Sequence, residues 1–170
     1  MAEGRRGGPV RAGGIDVESL MAASKVLTAV VARSLVGIEP AVSLVQLRTL
    51  VMISTHGTMN LTSVAEGLGV NPSNASRTCD RLVRDGLLDR REDTEDRRSI
   101  QLSLTRQGQK VVEKVFTRRR TVLEQLVARM SQAQQRQLSS SLQAFVDAAA
   151  KASDDGDLSD AEGHLLRWLV

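Results

Sequence analysis

A helix whose two ends are both marked in the sequence constrains the fold more than any other feature. It occupies the stretch NPSNASRTCDRLVRDG. Asn71 is a favourable N-cap, and Pro72 fits the first helical position, where no backbone N–H is needed. Gly86 suits the left-handed residue that follows a helix, and Leu87 can then close over Leu82. The sequence therefore predicts a helix between Asn71 and Gly86.

The neighbours of this helix predict a winged helix-turn-helix. A short helix is expected before it, over residues 62–68, with either Asn60 or Thr62 as its cap and Gly69 after its last turn. After it, LLDRR is typical of a strand, and SIQLSL alternates apolar and polar residues as a half-buried strand does. Two helices joined by a tight turn and followed by a charged hairpin are typical of a winged helix.

The central helix has an apolar and a polar side. Ala75, Cys79 and Leu82 fall on one side and are predicted to pack inward. The other side carries short hydroxyl and amide groups backed by arginines, which are the groups that base edges and phosphates require. The residues predicted to contact DNA are Ser73, Asn74, Ser76, Arg77, Arg81 and Arg84.

Long amphipathic helices flank the winged unit. Residues 15–38 and 106–152 have apolar residues at helical spacing, and too little other chain remains to cover their wide apolar faces. The same surfaces of a second copy would cover them, and a two-fold pair can place its recognition helices about 34 Å apart, one turn of DNA. We therefore expect a homodimer.

The predicted fold class is mainly α with a small β-hairpin wing. A winged helix-turn-helix DNA-binding domain at 39–105 is expected between the N- and C-terminal dimerisation helices, with its first helix beginning near Pro40. The hexapeptide THGTMN is predicted to be a loop from its composition. Residues 1–14 are rich in Gly and Arg and are predicted to be a disordered arm. Residues 153–170 form an acidic linker and an apolar C-terminal segment.

The charge distribution and the composition restrict which classes of binding partner are expected. Residues 151–170 hold two basic and five acidic residues although the whole chain carries +3, so the basic excess lies in the first 150 residues and is compatible with a polyanionic partner. No apolar run approaches the roughly 20 residues of a membrane span, so no membrane partner is expected. The start MAEGRRGGPVRAGG has no apolar core of a secretory signal. With a single cysteine, these features predict a cytoplasmic protein.

Enzymatic and metal-dependent functions find little support. Two histidines and one cysteine argue against a transition-metal site, although composition leaves a site made only of carboxylates open. Ser73 and Ser76 have no His or Lys nearby for nucleophilic catalysis, and Gly67 and Gly69 do not form a phosphate-binding loop. We therefore expect no enzyme activity and no cofactor.

These blocks resemble the MarR family of winged-helix transcriptional regulators. The resemblance covers roughly residues 16–150, and its most specific part extends from Gly69 through the central helix, GLL, the charged wing and LSLT to Gly108. It implies a cytoplasmic homodimer that binds a palindromic operator in double-stranded DNA, most often as a repressor. It also implies a small aromatic or phenolic effector, which in many members releases the DNA.

The resemblance assigns roles at the tip of the wing. The D-x-R element of the family aligns on Asp96 and Arg98. By this alignment Arg98 enters the minor groove, where the potential is most negative, Asp96 orients it, and Arg97 is a flanking phosphate contact. Acidic neighbours that hold an arginine in one orientation reduce the rotamer entropy lost on binding.

The resemblance also implies where an effector would bind. The family pocket lies between the dimer helices and the winged domain, so the lining here would be chiefly apolar. Because the chain has no Tyr, a phenol could not be held by a tyrosine hydroxyl. The implied ligand-binding residues are Leu20, Met21, Val51, Met52 and Val111.

One alternative function comes from a different class. The segment from Arg90 to Arg98 has no net charge, and the C-terminal segment is an addition to the usual family pattern. These two features are compatible with a winged-helix protein-interaction module that does not bind DNA.

Overall fold

The computed structural model describes residues 16–92 and 100–154. The arm at 1–14, the wing residues Asp96, Arg97 and Arg98, and nearly all of the segment 153–170 lie outside the described residues. The elements of the described ranges are α1 (Val17–Leu35), α2 (Leu44–His56), β1 (Met59–Asn60), α3 (Leu61–Leu68), α4 (Pro72–Arg84), β2 (Leu88–Glu92), β3 (Ile100–Leu104), α5 (Arg106–Val127) and α6 (Gln132–Asp154).

Helix α4 has the ends that the sequence predicts. The Asn71 side chain accepts a hydrogen bond from the N–H of Asn74 at 2.9 Å, and Pro72 is the first helical residue. Gly86 has a φ of 71°, and the N–H of Leu87 donates to the Leu82 carbonyl at 2.9 Å. The left-handed glycine thus turns the chain sharply into the wing.

The structure decides between the two expected caps of α3 and corrects the expected start of α2. Helix α3 begins at Leu61 because Asn60, rather than Thr62, caps it and accepts from the N–H of Ser63 at 2.8 Å. Helix α2 begins at Leu44, not near Pro40, because Ser43 and Gln46 form a reciprocal capping box with distances of 2.8 and 3.2 Å. The box satisfies two backbone N–H donors at once and fixes the start of the helix.

The prediction that THGTMN is entirely a loop is wrong. Met59 pairs with Leu102 and Asn60 with Gln101, so β1 adds a third strand and the antiparallel sheet has the order β1-β3-β2. A two-residue strand has no periodicity that a sequence could reveal. It is held by burial of Met59 beside β3 and by the ladder itself.

The core lies within the winged unit and the first half of α5. Ala75, Cys79 and Leu82 are fully buried, which confirms the predicted inward side of α4. Val111, Val112 and Val115 bring α5 into the same cluster. Each such aliphatic side chain contributes about 1.5–3 kcal/mol on full burial.

The start of α5 is joined directly to the end of α4. Thr105 caps α5 and its hydroxyl donates to the Gly86 carbonyl at 2.7 Å, while its N–H donates to the Leu87 carbonyl at 3.1 Å. Gly108 lies so close to the Leu87 carbonyl that a Cβ there would overlap it. These contacts fix the wing relative to the long helix.

Helices α1 and α6 keep large apolar side chains exposed. Within the described ranges these include Val17, Leu20, Met21, Val26, Leu27, Leu142, Phe145 and Val146. Nothing in the described part of one chain covers these faces, which lie in the segments where dimerisation helices are expected. None of the described helices is both long and apolar enough to cross a bilayer.

Candidate nucleic-acid interface

Helix α4 presents its polar side to solvent. Ser73, Asn74, Arg77, Arg81 and Arg84 are exposed and Ser76 is half-buried. The opposite side of the helix is anchored by Ala75, Cys79 and Leu82, each with no exposed surface. The structure thus brings all six predicted recognition residues of α4 to one accessible surface.

The arginines of α4 are only weakly engaged within the chain. Arg81 approaches Asp85 at 4.0 Å, with two-thirds of its side chain exposed, and the Nε of Arg84 donates to the Asp80 carbonyl at 3.4 Å. An exposed pair of this kind on a helix contributes about 0.3–0.5 kcal/mol. Both guanidinium groups can therefore reorient toward an external anion at little cost.

Asp80 connects α4 to the wing. One carboxylate oxygen pairs with Nη1 of Arg90 on β2 at 3.1 Å, and the other accepts from the Ser76 hydroxyl at 3.2 Å. The sequence pattern does not predict this role for Arg90 and Asp80. The i, i+4 spacing of Ser76 and Asp80 could have suggested their contact, but the pairing with Arg90 depends on how the wing folds back.

Helix α3, which precedes α4, is held in place by a hydrogen bond from α2. Nη2 of Arg48 on α2 donates to the Gly67 carbonyl at 2.7 Å, which satisfies one of the free carbonyls in the last turn of α3. Partial burial lowers the pKa of Arg48. The contact fixes α3, and with it the turn that leads to Asn71.

Cys79 is a packing residue in this structure. It has no exposed surface, and burial, followed by the negative charge of Asp80, raises the pKa of its thiol to about 11. A thiol with such a pKa stays protonated and poorly nucleophilic at neutral pH. This agrees with the interpretation of Cys79 as part of the inward side.

The residues assigned to an effector differ in burial within one chain. Met52 and Val111 are core residues, Val51 is half-buried against the core, and Leu20 and Met21 are exposed on α1. Leu20 lines a groove of about 570 Å³ with residues of α1 and α6, and the other four are not part of that lining. Because the implied pocket would lie between the dimer helices and the winged domain, the lining by these five residues stays a prediction.

The wing is described up to the paired residues Glu92 and Ile100. The predicted DNA contacts Asp96, Arg97 and Arg98 lie between them, outside the described residues. Within the described part of the chain, no cluster of three or more His, Cys, Asp or Glu side chains is arranged to hold a metal ion.

Comparison with known proteins gives a consistent assignment. The MarR family model matches residues 42–100. The crystal structure of RV1404 from Mycobacterium tuberculosis is 36% identical, with a TM-score of 0.75 over 82% of this chain and 98% of that one. Streptococcus pneumoniae FabT, solved in complex with DNA, is 18% identical and shares the fold, with a TM-score of 0.65 over 78% of this chain and 96% of that one.

Curated relatives match over a shorter region. The transcriptional repressor MdtR of Bacillus subtilis is 36% identical over 87 residues, which are 51% of this chain and 54% of that protein. The chain spans about half the length of the curated relatives it matches. With the winged helix-turn-helix geometry and a match to almost the whole of RV1404, these findings show that the chain belongs to the MarR family.

Proposed function

We propose that this protein is a transcriptional regulator that binds double-stranded DNA as a homodimer and acts as a repressor. The observation that carries the proposal is the sidedness of α4, whose polar and arginine-rich side is exposed while Ala75, Cys79 and Leu82 are buried. The repressor MdtR as a relative and the DNA complex of FabT, which has the same fold, support it.

In this proposal different residues of α4 contact the bases and the phosphates of the DNA. Ser73 and Asn74 lie in the first turn, the part of a recognition helix that contacts base edges in the major groove. Arg77 can bond a guanine edge, and Arg81 and Arg84 neutralise phosphates along the groove. In the wing, Arg98 enters the minor groove, oriented by Asp96 and flanked by Arg97.

The proposed dimer would form through α1 and α6. Phe145 is 53% exposed and Leu142 is 47% exposed, and contiguous apolar surface of this kind marks an interaction site in soluble proteins. A two-fold pair would present two α4 helices about one DNA turn apart and so require a palindromic operator. A small apolar or aromatic effector that changed this spacing would release the DNA.

The test uses a charge reversal and a matched control. Arg77→Glu is expected to weaken binding to the DNA upstream of its own gene at least about tenfold, because a bidentate base or phosphate contact contributes about 1–3 kcal/mol. Arg129→Glu makes the same charge change beyond the end of α5 and should shift the affinity much less. Fluorescence anisotropy at several stated salt concentrations measures both.

Equal losses in the two variants would overturn the role of α4. If the wild-type protein has no salt-dependent affinity for DNA but forms a stable complex with another protein, the protein-interaction module is the better function. Comparing pull-downs with and without residues 153–170 then identifies the binding segment.

A further inference from the structure

A small notch opens where the start of α2 meets α4. Its cavity has a volume of about 440 Å³ and is lined by Ala41, Val42, Ser43, Gln46, Arg77, Thr78 and Arg81. Arg77 and Arg81 are exposed and stand one helical turn apart on α4. Two cations and several hydroxyl or amide groups line this notch, and none of its described lining residues is a carboxylate.

The N-terminus of α2 contributes further positive potential. The capping box uses the N–H groups of Ser43 and Gln46, while those of Leu44 and Val45 have no acceptor inside the helix. The helix dipole places partial positive charge at this end. A helix N-terminus alone is a common feature, so the case for a ligand depends on the side chain that lies beside it.

Gln46 has a buried donor that is not used. Its side-chain oxygen accepts from the N–H of Ser43 at 2.8 Å, and only 5% of the residue is exposed. Its Nε2 group has no hydrogen-bond partner among the described residues. Gln46 lines the notch and the cap fixes its side-chain oxygen, and an unmade buried hydrogen bond is unfavourable until an acceptor arrives.

We propose that this notch binds one backbone phosphate of DNA next to the groove that α4 enters. The inference rests on the proposed DNA-binding function and adds Ser43 and Gln46 to the residues that fix the protein on the duplex. A phosphodiester supplies the two features that the notch lacks, negative charge and hydrogen-bond acceptors. Phosphate contacts of this kind set the register and orientation of a DNA-binding protein without reading sequence.

The test is Gln46→Glu. Glutamate keeps the acceptor for the Ser43 N–H, since Ser-x-x-Glu is itself a capping box, but replaces the donor with a negatively charged oxygen. We expect DNA affinity to fall about tenfold and the negative slope of log K against log salt to become shallower by about 0.9, the value for one lost phosphate contact. Gln132→Glu, the same change at the exposed first residue of α6, should alter affinity less than about twofold.

The possible outcomes distinguish a failure of the notch proposal from a failure of the proposed DNA-binding function. If the wild-type protein binds DNA and the two glutamate variants have the same affinity, the proposed phosphate site in the notch is wrong and the DNA-binding function stands. If the wild-type protein does not bind DNA, both are overturned. Thermal unfolding of each variant establishes that it is folded at the assay temperature.

A second measurement follows the notch in the wild-type protein. In NMR spectra of the wild-type protein, the side-chain amide resonances of Gln46, assigned through their loss in Gln46→Met, should shift on addition of a DNA duplex. Inorganic phosphate at the same phosphate concentration should leave them nearly unchanged. Unmoved resonances with bound DNA, or an equal shift with inorganic phosphate, would contradict a site for the DNA backbone.

Discussion

The winged unit buries its apolar side chains within the chain, whereas the outer helices α1 and α6 leave many of theirs exposed. In α4 the apolar side is completely buried inside the chain, with Cys79 and Leu82 at 0% exposure. In α6 the apolar residues Leu142 and Phe145 are about half exposed. Both helices are amphipathic. Amphipathicity alone therefore does not show whether an apolar helix face is buried within its own chain or left exposed on its surface.

This difference distinguishes stability that comes from packing within one chain from stability that would come from association of two chains. The winged unit is held by its own core and by direct links such as the Thr105 hydroxyl on the Gly86 carbonyl. The apolar faces of α1 and α6 would gain their stability from association, so their contribution should depend on protein concentration. Two single substitutions and one double-mutant cycle test this division, and the expected effect decreases from the first to the last.

The largest effect is expected from Leu82→Ala in the core of the winged unit. Removing a fully buried leucine side chain costs about 2–5 kcal/mol, because the transfer free energy is lost and a cavity remains. The free energy of unfolding in urea should fall by this amount. A loss below about 1 kcal/mol would mean that the core is not closed as described.

A smaller and concentration-dependent effect is expected from Leu142→Asp on α6. A charge on the proposed dimer face should shift the protein toward monomer, as measured by sedimentation equilibrium, because an unpaired charge resists burial. Ser139→Asp, on an exposed position of the same helix, tests whether added charge on α6 is itself responsible. If Leu142→Asp remains as associated as the wild type, the α6 face is not the interface.

Local signals allowed much of the winged unit to be predicted from sequence. Asn71, Pro72 and Gly86 specify the ends of α4 through backbone chemistry that acts within a few residues. The polar side of α4 follows from helical periodicity. The cap of α5 is also local, because the Thr105 hydroxyl accepts from the N–H of Gly108 at 3.0 Å.

Features that depend on tertiary packing were missed. Strand β1 is too short to show a period, and its pairing with β3 joins residues about forty positions apart. The Asp80–Arg90 ion pair needs the wing to fold back on α4. The burial of Met52 and Val111 depends on the same packing, because the sequence marks them only as apolar.

The smallest expected effect comes from the Asp80–Arg90 pair, which links α4 to the wing outside the core. Its side chains are 46% and 37% exposed, so a double-mutant cycle with Asp80→Asn and Arg90→Gln should give a coupling free energy of about 0.2–1 kcal/mol that declines with added salt. The Asp89–Arg91 pair is a matched control, with an N–O distance of 2.9 Å on one strand. Because residues two apart on a strand can also meet in the unfolded chain, their coupling should be weaker. A coupling near zero for Asp80–Arg90 would show that this ion pair does not hold the wing to α4.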